Sequence, residues 1–141
     1  MDKIKRYLLS FKPWSKHSGI LVVAGIVYIV IGIRYYYLDP SENLEMTLYY
    51  AMNLMPIDGW GIGFIVVGTI AVLSSRWPNV PASWGYVLLT GLSAAWSSFF
   101  FAGAMLTEAR VSYFTTAAMW ALLAYLWWAI SGLVELKDDG R

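Results

Sequence analysis

A protein that does chemistry inside a membrane needs ionisable or metal-binding groups at depth, where they are costly to keep. The sequence offers few. Arg34 is the deepest cation, four residues before the end of a long apolar stretch in GIRYYYL. Its side chain is long enough to snorkel to a headgroup layer. Asp58 opens a second apolar stretch in PIDGWG, where N-capping is its ordinary role, and an Arg34–Asp58 ion pair would tie the two stretches together. His17 is the only histidine, and a lone imidazole without carboxylate or cysteine partners cannot build a metal site. Glu108 and Arg110 share a short turn and read as solvated. The glycines of DGWGIG are misplaced for GxGxxG and no strand precedes them; GxxxxGK[ST] and GxSxG are both missing. The chain has no cysteine, so it holds no disulfide, thiolate ligand or cysteine nucleophile. No cofactor, no metal and no enzymatic activity are therefore expected. Ser93, Ser97 and Ser98 could bond across helices or face a polar lumen. A small channel or transporter would need Arg34, Ser93, Ser97, Thr115 and Thr116 on one inward face.

These residues must be held by apolar elements. Of 141 residues, 59% are hydrophobic and 13% charged. The apolar residues come in blocks long enough for helices of about 20 residues, the length that crosses a hydrocarbon core. Four blocks, about 18–38, 59–75, 84–106 and 113–134, predict an all-α integral membrane protein: four transmembrane helices in an antiparallel bundle. The first block is longer than a cleavable signal core and no small-x-small site closes it, so it is expected to stay as a span. Eight of the ten cations, Lys3, Lys5, Arg6, Lys12, Lys16, Arg76, Lys137 and Arg141, fall on one side of this arrangement. Both termini are thus expected in the cytoplasm. A net charge of +1 excludes an overall nucleic-acid-binding field.

Residues 1–17 read as a basic N-terminal segment. Ile4, Tyr7, Leu8 and Phe11 recur at helical spacing there, with Lys3, Lys5, Arg6, Lys12 and Lys16 placed to meet an anionic membrane surface. A solvated basic tail that only sets topology is the alternative. A second interfacial helix is expected over about 41–54. Asp39 caps it, Pro40 takes its first position, and Leu44, Leu48, Ala51, Met52 and Met55 form its apolar stripe. Residues 135–141 read as a short cytoplasmic tail. Eight Trp and ten Tyr fit interfacial belts and bundle packing.

GIVYIVIG (25–32) and GIGFIVVG (61–68) nearly repeat one another 36 residues apart. Gly25 and Gly32 share one helical face, Gly61 and Gly68 another. Because successive spans reverse direction, the copies are expected to be related by inverted topology and to pack along these glycines.

The basic KPWSKHSG entry, GIVYIVIG, the acidic linker with Pro40, GWGIGFIVVG, SRWP and the WGY opening the third block form a pattern over most of the chain. In this it resembles the small polytopic membrane proteins of actinobacterial phages, some of which are regarded as holins. The resemblance implies a non-enzymatic protein of the bacterial inner membrane that self-associates and permeabilises the bilayer, and it carries over no individual residue. The tail ELKDDGR is short and charge-balanced, where holin-like proteins often carry a strongly charged one. The expected partners are the lipid bilayer and a homo-oligomer or partner membrane protein, with no nucleic acid. The competing reading is a membrane scaffold or accessory subunit for assembly or superinfection exclusion.

Overall fold

The computed structural model describes residues 16–37, 47–77, 79–106 and 110–139. Among them the chain forms five helices and no strand: α1 (Lys16–Tyr36), α2 (Thr47–Leu54), α3 (Ile57–Arg76), α4 (Ala82–Leu106) and α5 (Arg110–Asp139). All but α2 are long and apolar enough to cross a membrane. Of the basic segment expected over residues 1–17, residues 1–15 lie outside the described residues and Lys16 and His17 open α1; the start of the helix expected from residue 41 also lies outside them.

The helix ends follow local sequence. Pro56, at φ −53° and ψ 153°, supplies the fixed backbone entry to α3. Asp58 is therefore not the N-cap; it lies in the first turn, where its Oδ1 accepts the Gly59 N–H at 2.9 Å and its charge suits the positive end of the helix. At the other end Trp77 turns extended (φ −77°, ψ 127°), as a residue before proline is driven to do, while its N–H still bonds Leu73 O at 2.8 Å. α5 continues through Asp139, so residues 135–139, expected as a short tail, are helical, as suits the strong helix formers in LVELK.

Helix α1 packs along α3, α3 along α4, and α4 along α5; α2 lies against α4. The α1–α3 seam is built on the repeated glycines. A Cβ on Gly25 would sit 2.6 Å from Gly68 O and 3.1 Å from Val72 N, and one on Gly61 would sit 2.7 Å from Gly32 O and 2.6 Å from Tyr36 N. A Cβ on Gly68 would lie 2.5 Å from Gly25 O and 3.0 Å from Ile29 N, and one on Gly32 2.5 Å from Gly61 O and 2.8 Å from Ile65 N. Each contact reappears when both residues are exchanged for their counterparts in the other copy. The two helices are thus antiparallel and related by a local two-fold axis, with Tyr28 and its counterpart Phe64 side by side at 5.6 Å. Backbones can approach this closely only because neither helix has a side chain there.

The core lies between this pair and α4–α5. Leu21, Tyr28, Phe64, Tyr86, Leu89 and Trp96 are almost fully buried in it. Trp96 lies tilted against Trp60 (5.2 Å) and Phe64 (5.5 Å), and Phe99 meets both Trp60 and Trp96 edge-on at 5.4 and 5.5 Å. Such offset and edge geometries are favoured by the ring quadrupoles. Helix α2 is fixed to this cluster: Ala51 is fully buried, and its carbonyl accepts the Trp60 indole N–H at 2.7 Å.

Candidate functional site

A hydroxyl in the middle of an apolar helix must find a partner inside the fold. Tyr28, halfway along α1, does so through a chain of side-chain hydrogen bonds whose direction can be worked out. The Trp127 indole can only donate, and its Nε1 lies 3.3 Å from the Tyr28 oxygen. The Ser93 hydroxyl spends its one proton on Leu89 O, 2.7 Å away. The Tyr28 hydroxyl is therefore the donor to Ser93 Oγ. The relay Trp127 to Tyr28 to Ser93 to Leu89 O joins α5, α1 and α4 and consumes every proton in it. Trp120 of α5 adds an edge-on contact with Tyr28 at 6.2 Å.

Beside this relay, α1 and α5 do not close on each other. A groove of about 660 Å³ runs between them. Gly19, Val23, Val27 and Ile31 form its α1 wall, and Trp120, Leu123 and Trp127 its α5 wall. Among the described residues its one charged lining residue is Lys16, exposed at the start of α1. The volume falls in the range of small-molecule sites.

The remaining polar residues are dispersed. Arg34 and Asp58 are both exposed, and no ion pair joins them among the described residues. The helical screw explains the separation. Gly32 and Tyr36 of α1 face α3, and a residue two positions after Gly32 points about 200° away from it. Ser97 bonds across helices to Ala117 O at 2.8 Å, while Thr115 and Thr116 turn back to Val111 O and Ser112 O on their own helix. Ser93 lies in the core and Thr115 on the outer surface. Arg34, Ser93, Ser97, Thr115 and Thr116 therefore do not share one inward face, and no polar path forms from them. Ser74 and Ser75, both buried, bond Ala71 O at 3.0 Å and Val72 O at 2.6 Å. No group of three His, Asp or Glu comes together among the described residues. Lys3, Lys5, Arg6 and Lys12 lie outside the described residues.

The relay and the groove are not apparent in a motif search. The signal for the relay is Tyr28 itself, a tyrosine in the middle of GIVYIVIG and so too deep for an interfacial belt. The chain matches no known protein family, and no curated protein or solved structure shows significant similarity to it.

Proposed function

We propose that this chain is a small integral protein of the bacterial inner membrane. Its four long helices cross the bilayer as an antiparallel bundle with both termini cytoplasmic, and it works by lateral self-association that permeabilises the membrane, as a holin-like protein would. It carries out no chemistry of its own. The observation that carries this reading is that the hydroxyls at mid-depth are already taken. The mid-depth hydroxyls of Tyr28, Ser93 and Ser97 are bonded inside the fold. Any passage for solutes must then form between copies.

The outer surface supports the same reading. Helix α5 is the least covered of the four, with 17% of its apolar window buried against 28–33% for the others. It presents Met119, Leu122, Tyr125 and Trp128 outward. Aromatic and methionine side chains of this kind are favoured at association surfaces.

Inducible expression in a bacterium, with membrane potential followed by a voltage-sensitive dye, tests the proposal. Depolarisation setting in above a threshold of expression is expected. Sustained polarisation at high expression would refute permeabilisation, and copurification of a specific partner from such cells would establish the scaffold reading instead.

A further inference from the structure

We propose that the groove between α1 and α5 is a binding site for an anionic phospholipid, with the phosphate at Lys16 and one acyl chain lying along α1 towards Ile31. The proposal rests on the membrane insertion argued above and goes beyond it.

Three features of the groove specify this occupant. The first is length. From Lys16 to Ile31 the α1 wall rises for fifteen residues, about 22 Å at the α-helical rise. One leaflet offers about 15 Å of hydrocarbon and a further ~6 Å of headgroup, which matches that length. The second is chemistry along the wall. The polar atoms of Tyr28 and Trp127 are already engaged with each other and with Ser93, so neither offers an occupant a free hydrogen bond, and most of the remaining wall is aliphatic. A hydrocarbon chain suits such a surface; a polar solute does not. The third is charge. Among the described residues Lys16 is the sole charged lining residue, and Gly19, one turn further in, places no side chain beside it. An ammonium at the mouth of an apolar channel complements a phosphate above an acyl chain. A helix from a second copy would gain the apolar contact but would leave that charge unused.

The test is native mass spectrometry of the full chain released from nanodiscs containing equal amounts of phosphatidylglycerol and phosphatidylcholine. Wild type is expected to retain one phosphatidylglycerol in preference to phosphatidylcholine. Lys16→Gln should reduce that preference about fivefold, the effect of one lysine near an anionic lipid surface. Val23→Phe fills the groove from an exposed position and should lower retention of both lipids. Val27→Phe, also at an exposed position, serves as a second filling variant. Equal retention of the two lipids by wild type, or a preference unchanged in Lys16→Gln, would overturn the proposal. A lipid-free dimer as the released species would overturn it in favour of a second copy. Failure of the protein to enter nanodiscs at all would refute membrane insertion itself, whereas embedded protein without lipid preference would refute only the lipid site.

Discussion

At the scale of single residues, the hydroxyl of Tyr28 holds three helices together and the charges of Arg34 and Asp58 hold none. Tyr28→Phe removes the acceptor for Trp127 and the donor to Ser93 without opening a cavity. It should cost about 1 kcal/mol, in line with interhelical hydrogen bonds in membrane proteins, read as a shift in unfolding by a denaturing detergent. The Trp127→Phe cost should largely disappear in a Tyr28→Phe background, since the bond it breaks is then already gone. Arg34→Gln and Asp58→Asn should show no coupling in a double-mutant cycle, because the two side chains leave their helices on faces that do not meet. A pairing between them is attractive in sequence because both stand near the same end of adjacent helices. Only the rotation about α1, fixed by which face the glycines claim, shows that they cannot reach each other.

At the scale of elements, the glycine seam sets the geometry of α1 and α3. Gly32→Ala and Gly68→Ala each drive a Cβ to 2.5 Å from a carbonyl oxygen of the facing helix, so the backbones must part. Each should destabilise by about 1–3 kcal/mol, the range for overpacking, and by similar amounts because the two sites are equivalent under the local two-fold. Gly63→Ala and Gly91→Ala meet nothing within 4 Å. They should be neutral, or stabilising by up to about 1 kcal/mol through helix propensity. Thermal unfolding of the four variants in one detergent distinguishes the pairs. This seam is legible in the amino-acid sequence, since a seven-residue glycine spacing repeated in successive helices leaves few other arrangements. The relay is not. Its members, Tyr28, Ser93 and Trp127, come from three helices, and nothing in the spacing within one helix reports its rotation against another. The groove is hidden for the same reason: it is a gap left between two helices beside the contacts that Tyr28 makes with Trp120 and Trp127.

At the scale of the whole molecule, the mid-depth hydroxyls are bonded within the fold, and the proposed permeabilisation is assigned to the surface between copies. Hydropathy alone makes the four long helices plain, because nothing but helices of this length accounts for apolar blocks of this size. Orientation and assembly depend on the bilayer and on other copies, which a single chain does not display. The absence of cysteine makes orientation accessible to experiment: a single Cys introduced at exposed Asn79, between α3 and α4, should label only from the cytoplasmic side, and one at exposed Asp58 only from the opposite side. Dye release from vesicles reconstituted with purified protein at graded density tests self-associating permeabilisation most directly. Release should rise more steeply than in proportion to protein density, because the proposed route lies between copies. Vesicles that stay sealed at every density would contradict the account, as would release strictly proportional to density, the signature of a conduit within one chain.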